Sequence, residues 1–226
     1  MRVIRGRAAM SKIADLAYQG IRQRIVRGDY AAGTHLKEEV VADEIGASRT
    51  PVREALRRLN SENLVEFVPN RGAYVASWSL EDVEEIYTLR SLLEGQAAFR
   101  AATRITDSDI KKLVASADRM DELLNYHDVR NTAAILEANS VFHHTILVAS
   151  HSERLSKILA WVVEVPVILC TFEKYSDNDI ERANHHHREL IDALQAGDPH
   201  WAQKVMEAHL SASQRVLIFN RQSRSN

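Results

Sequence analysis

The sequence predicts a mainly α-helical protein in which an N-terminal winged helix-turn-helix precedes an all-α helical bundle. Most of the 8 glycines and 4 prolines fall in the first third of the chain, which indicates short elements joined by turns there. Beyond Ser79 the apolar residues recur at helical spacing with little interruption. We therefore expect a first domain over residues 1–77, with an ordered core of about 12–76, and a second over residues 78–226.

Two helices open the first predicted domain. The first has an apolar face at helical spacing and ends before Gly28; its members are Ile13, Leu16, Ala17, Ile21 and Ile25. The second is short and ends at Gly46; its apolar residues are Leu36, Val41 and Ile45.

A third helix follows a turn of three residues that contains Gly46. Ser48 or Thr50 is its expected N-cap, and Pro51 is tolerated in the first turn. Its inward stripe is expected to comprise Val52, Ala55, Leu56 and Leu59. On another face lie three arginines spaced by four residues, Arg49, Arg53 and Arg57.

Two short alternating segments, residues 65–68 and 73–75, flank a turn at residues 69–72 and predict a hairpin that forms a wing. Arg71 at its tip could enter the minor groove of DNA, where narrow segments attract guanidinium groups.

A short helix, a tight turn and a helix with a cationic outer face form the arrangement that places the second helix in the major groove. Arginines at every fourth residue more often form a solvated helix face. The order and spacing of these helices and the hairpin nevertheless favour binding to double-stranded DNA. The expected DNA contacts are Ser48, Arg49, Thr50, Pro51, Arg53, Asn70, Arg71 and Gly72.

The stretch from Leu36 to Leu59, above all Ser48-Arg49-Thr50-Pro51-Val52-Arg53-Glu54-Ala55-Leu56, closely resembles the GntR family of bacterial regulators. One departure is Ala31-Ala32-Gly33, where the family usually has a proline before the glycine. We expect that difference to affect the stiffness of the loop rather than DNA contact.

The charge of the chain is unevenly distributed. Residues 1–76 hold 13 Lys and Arg against 9 Asp and Glu, which leaves 16 against 22 for residues 77–226. A basic module of net charge +4 thus precedes an acidic one of −6, which suits a DNA-binding head on a sensory body.

Six helices are expected in the second domain, at residues 79–103, 106–125, 129–150, 152–172, 178–196 and 198–220. The longest apolar run, residues 160–172, contains Glu164 and Pro166 and is too short for a membrane span, so it predicts a buried, kinked helix. The single cysteine, Cys170, and the lack of a signal sequence favour the cytoplasm.

Helical spacing places three histidines on the core-facing sides of three different predicted helices; they are His143, His187 and His209. One such histidine is more often a hydrogen-bonded core residue than a ligand. Three together, with Asn139 one turn before His143, suit a shared divalent ion, because each buried imidazole needs a polar partner. Imidazoles with an oxygen ligand favour zinc or nickel.

The second domain resembles the FCD ligand-binding domain of the FadR-like branch of the same family. The matching pieces include Leu89-Arg90-Ser91-Leu92-Leu93-Glu94, Asn139-Ser140-Val141-Phe142-His143, the run from His187 to Asp198, and Ala208-His209-Leu210. In metal-binding members the position of Asn139 is often aspartate, and three histidines complete the site. Six helices would place the chain nearer the VanR-like group.

Arg90 also has an inward phase, following Tyr87 by three residues. It either pairs with Glu94 on the same helix or binds the carboxylate of a small organic acid, the class of effector that the resemblance implies.

The function that these features favour is a homodimeric regulator, not an enzyme, that binds a two-fold symmetric operator. Its affinity would be controlled by a small carboxylate bound near the metal. Two alternatives stay open: a regulator that responds to the ion itself, and a three-histidine metallohydrolase, although the sequence has no HExxH motif. A histidine core without metal is also compatible with the sequence.

Overall fold

The computed structural model describes residues 2–77, 79–125, 131–162 and 175–222. They divide by contact into two compact units, the first ending at Ser79 and the second beginning at Leu80. Helices dominate both, and a small sheet is found in the first, as the fold class predicted.

The first unit contains three helices and a hairpin: α1 (Arg2–Arg27), α2 (Glu38–Ile45), α3 (Arg49–Ser61), β1 (Val65–Val68) and β2 (Gly72–Val75). α1 begins at Arg2, about ten residues before the expected ordered core. Gly46 ends α2 in the left-handed conformation with a φ of 66°, and its N–H bonds to carbonyls of the last turn. Ser48 occupies the N-cap position of α3, but its side chain makes no capping hydrogen bond.

The core of the first unit forms around the predicted stripe of α3. Val52, Ala55, Leu56 and Leu59 are fully buried there. Sequence analysis was wrong about part of α1, since Ile13 is 45% exposed and Leu16 is 65% exposed. The buried face consists of Ala14, Ala17, Tyr18, Ile21 and Ile25. At 100° per residue, Ile13 and Leu16 point about 100° and about 160° away from the axis of that stripe.

The wing is an antiparallel hairpin in which Val65 pairs with Val75 and Val68 pairs with Gly72. The segment before α2 extends this sheet. Its Leu36 N–H donates to the carbonyl of Ala73 at 2.8 Å, and the His35 ring stacks on Tyr74 with centroids 4.5 Å apart. These contacts tie the wing to the helix-turn-helix.

The second unit contains six helices within the described residues: α4 (Leu80–Ala101), α5 (Asp107–Asn125), α6 (Thr132–Ala149), α7 (Glu153–Val162), α8 (Asp177–Gln195) and α9 (Pro199–Gln222). Their ends lie within three residues of the predicted ones, apart from that of the helix expected at 152–172. Residues 163–174, with Pro166 and Cys170, lie outside the described residues.

Packing and caps fix the ends of these helices. α9 packs along α4 and α8, while α5 packs against α6 and α8. Ser176 and Asp179 form a capping box at the start of α8, and Thr106 and Asp109 exchange the same kind of bonds at the start of α5. In the described part of the chain, no helix is both long and apolar enough to cross a membrane.

Candidate functional site

The outer face of α3 carries the arginines that sequence analysis predicted there. Arg49, Arg53 and Arg57 are all exposed, and two carboxylates at the start of α2 pair with the first two of them. Arg53 donates from Nε and Nη2 to the two oxygens of Glu38, each at 2.7 Å. Arg49 Nη1 lies 2.7 Å from Glu39, and its Nη2 lies 3.8 Å from Glu38.

The hydrogen bond from Arg53 holds the pKa of the Glu38 carboxyl below its usual value, although partial burial acts in the opposite direction. Neither of these acidic partners was predicted from the sequence. The available signal was two glutamates in the first turn of the helix that precedes the cationic one.

The remaining predicted DNA contacts are exposed, with one exception. Ser48 and Thr50 face solvent at the start of α3, and Asn70, Arg71 and Gly72 do so at the wing turn. Pro51 is instead buried in the first unit. At the wing, the Arg71 guanidinium lies 5.9 Å from the centroid of the Tyr74 ring.

The three predicted histidines come together inside the second unit. His143 on α6, His187 on α8 and His209 on α9 place one ring nitrogen each within 4.8 Å of the others. His187 is fully buried and stacks on Phe142, with ring centroids 3.9 Å apart. Burial, together with the neighbouring imidazoles, lowers the pKa of His187 and His209 well below the ordinary value. Both rings are therefore neutral at pH 7.

Several polar atoms of this histidine cluster are buried and have no hydrogen-bond partner among the residues that the structure describes. They are His143 Nε2, both nitrogens of His187 and His209 Nδ1. The side-chain oxygen of Asn139, one turn before His143 on α6, is likewise buried without a partner. Leaving such atoms unsatisfied costs about 1–3 kcal/mol each. Neutral imidazole nitrogens and an amide oxygen are donors to late divalent ions, so this set fits zinc or nickel.

A buried carboxylate orients the first of these histidines, and this contact was not predicted from the sequence. Glu94 on α4 lies 2.6 Å from His143 Nδ1 and accepts a 2.7 Å hydrogen bond from Arg90 Nε. Burial would raise the pKa of Glu94, but Arg90 and His143 outweigh it and hold that pKa well below the usual range. An ionised carboxylate only accepts, so Nδ1 carries a proton, and Nε2 is the ring nitrogen left without a hydrogen-bond partner in the described structure.

Arg90 is buried, as predicted, and forms the pair with Glu94 that was one of its two expected roles. The remaining histidines of α6 and α8 differ in exposure. His144 and His185 are exposed, while His186 is half-buried with its ring 5.9 Å from that of His209.

Comparison with known proteins finds a matching family model for each unit. Residues 13–75 match the family model described as bacterial regulatory proteins, gntR family, and residues 85–212 match the FCD domain. The chain belongs to the GntR family. This GntR regulator is 32% identical over 209 residues to the "Probable D-xylose utilization operon transcriptional repressor" of Paenarthrobacter nicotinovorans, a match that covers 91% of this chain and 89% of that protein.

Further comparisons support the same family and fold. The gluconate operon transcriptional repressor of Bacillus subtilis is 32% identical, with 81% of this chain and 75% of that protein covered. Among solved structures, McbR/YncC of E. coli has a similar fold, with a TM-score of 0.69 at 22% identity and coverage of 93% of this chain and 98% of that one. The resemblance to the GntR family and the FCD domain is thus confirmed.

This GntR-family protein is a DNA-binding transcriptional regulator and not an enzyme, since its family and its relatives are regulators. The metallohydrolase alternative is therefore wrong.

Acidification from about pH 7.5 to about pH 5.5 should destabilise the metal-free protein. His187 and His209 stay neutral when folded but take up protons near pH 6.5 when unfolded, so each removes up to about 1.4 kcal/mol of unfolding free energy per pH unit below that value. Urea unfolding of chelator-treated protein across this range would measure the slope. His187→Gln should make it shallower, whereas His185→Gln on the exposed face should not. Equal slopes for the parent and both variants would contradict this assignment.

Proposed function

We propose that the chain is a homodimeric, cytoplasmic regulator whose affinity for a two-fold symmetric operator is controlled by a small carboxylate bound near a divalent metal. The control of DNA affinity is proposed from one observation. Donor atoms without hydrogen-bond partners lie together in the buried histidine cluster. A site of this kind lies in the unit that does not contain the helix-turn-helix, as an effector domain requires.

DNA contact is assigned to α3 and the wing. The exposed hydroxyls of Ser48 and Thr50 at the N-terminus of α3 suit phosphate oxygens, because the helix end carries partial positive charge. Arg49 and Arg53 lie on the outer face, and Asn70, Arg71 and Gly72 form the exposed tip of the wing. Pro51 is not among the proposed contacts, because its ring is buried.

The metal is assigned to His143, His187 and His209, with Asn139 as the oxygen donor. Glu94 fixes the tautomer of His143 and thereby aims Nε2 at the ion. When bound, the ion would supply open coordination positions that take an anionic oxygen ligand.

A small carboxylate would complete this site. Arg90 supports that class of ligand, because a guanidinium matches a carboxylate. Its hydrogen bond to Glu94 is donated by Nε, which carries one of the five N–H donors of the guanidinium. One relative is named for the gluconate operon, and gluconate is itself a small hydroxy acid. A second candidate, a regulator in which the ion alone is the signal, is favoured by the same Arg90–Glu94 pair, which engages the arginine without any ligand.

Removal of either proposed DNA-contacting arginine should weaken duplex binding. Arg49→Ala and Arg53→Ala should each lower affinity, and loss of one phosphate contact flattens the log–log dependence on salt by about 0.9. The measurement is fluorescence anisotropy with a labelled duplex over a series of salt concentrations. Arg119→Ala, an exposed arginine of α5 in the second unit, is the control and should bind as the parent does. Unchanged affinity in both α3 variants would contradict the contact assignment.

Metal-free protein should take up about one zinc or nickel ion per chain and unfold at a higher temperature when loaded. At a hundredfold excess over the dissociation constant, the ion adds about 2.7 kcal/mol to the free energy of unfolding. Elemental analysis after gel filtration measures the uptake, and calorimetry measures the affinity.

Substitutions at the histidines separate a metal site from a metal-free core. His187→Ala and His209→Ala should abolish the uptake, whereas His144→Ala, next in sequence to His143 but exposed, should retain it. Equal uptake by all three variants, or none by the folded parent, would show that the histidine cluster is not the site.

A further inference from the structure

The pair between Glu38 and Arg53 has a consequence for DNA readout, and this inference rests on the proposed contact of α3 with the duplex. We propose that Glu38 determines base specificity by holding Arg53 in the one orientation that reads a guanine. Glu38 acts through the arginine and is a positioning residue. Its partner Arg53 lies 15 residues away on the next helix.

The geometry of the guanidinium supports this role. An arginine presents two edges, one formed by Nε with one Nη atom and the other formed by the two Nη atoms. Glu38 occupies the first edge of Arg53 with two bonds of 2.7 Å. The Nη1–Nη2 edge then points away from the carboxylate, and a pair of parallel donors matches O6 and N7 of guanine. An arginine fixed in this way loses less rotamer freedom when it meets the base.

Arg49 is held differently and serves as a contrast. Its Nη1 lies 2.7 Å from Glu39 and its Nη2 lies 3.8 Å from Glu38, so the edge that could read guanine faces carboxylates. The Arg49 side chain is 57% exposed and that of Glu39 is 71% exposed. Exposed pairs of this kind are weak, so Arg49 is free to move to a phosphate.

Glu38 is less exposed than its neighbour Glu39. Its side chain is only 22% exposed, and it stands in the first turn of α2, where a negative charge is favourable. Glu39 carries the same charge at the next position, which makes it a matched control.

The two effects of Glu38 on DNA binding have opposite signs. Its negative charge near the phosphates weakens binding to every sequence, whereas its hold on Arg53 favours one base over the others. Removal of the charge should therefore tighten binding to unrelated DNA and at the same time reduce base preference. A residue that only joined α2 to α3 would not produce this combination.

The experiment selects random duplexes with the full chain, sequences them, and compares the parent with Glu38→Gln, Glu38→Asp, Glu39→Gln and Arg53→Ala. The position read by Arg53 is the one at which Arg53→Ala loses guanine preference. There Glu38→Gln should lose about fivefold or more in preference, while its affinity for a non-selected duplex rises. Glu39→Gln should show the rise in affinity without the loss of preference.

Glu38→Asp keeps the charge but shortens the side chain, so it should lose preference without the rise in affinity. Thermal unfolding followed by circular dichroism establishes that each variant is folded, and the Asp variant serves if the Gln variant is not. If Arg53→Ala changes the preference and Glu38→Gln and Glu38→Asp do not, the role of Glu38 is overturned while the proposed contact stands. If Arg53→Ala changes no position, the contact itself fails and the inference fails with it.

Discussion

Burial of three imidazoles with unpartnered nitrogens is the constraint on which the second unit depends. His187 and His209 are buried and His143 nearly so, while Asn139 adds an oxygen without a partner. Each such atom costs about 1–3 kcal/mol in an apolar interior, so the surrounding helices must offset several such terms when the site is empty. An ion bound as proposed would accept these lone pairs and remove the cost, and the stability of α6, α8 and α9 would then be linked to its concentration.

The same principle operates in both units, because a carboxylate on one helix bonds to a basic side chain on another. Glu94 fixes the proton on His143, and Glu38 occupies one edge of Arg53. The first pair is buried, so breaking it would leave an uncompensated charge. The second is partly exposed, and its value lies in orientation rather than in stability. The basic face of α3 therefore carries less net charge than its arginines alone suggest.

Sequence periodicity predicted the buried face of a helix correctly where that helix packs against a single core. The α3 stripe of Val52, Ala55, Leu56 and Leu59 and the inward phase of the three histidines follow from it, and the structure places them as predicted. On α1 two apolar phases overlap, and the strongly hydrophobic Ile13 and Leu16 outweighed the less hydrophobic Ala14 and Tyr18 that belong to the packed face. Pairs such as Glu94 with His143, 49 residues apart, could not be predicted, because they depend on how helices pack.

The proposed function requires that the state of the histidine cluster changes the affinity of the DNA-binding unit for its duplex. The most direct measurement is the Kd for a selected duplex with metal-free protein, with zinc- or nickel-loaded protein, and with loaded protein plus each of a panel of small organic acids. Coupling between two sites in one protein is typically about fivefold to about 150-fold in affinity. We expect a change of that order in at least one state, and its loss in His187→Ala. A single Kd across all states of a protein that demonstrably binds the metal would contradict it.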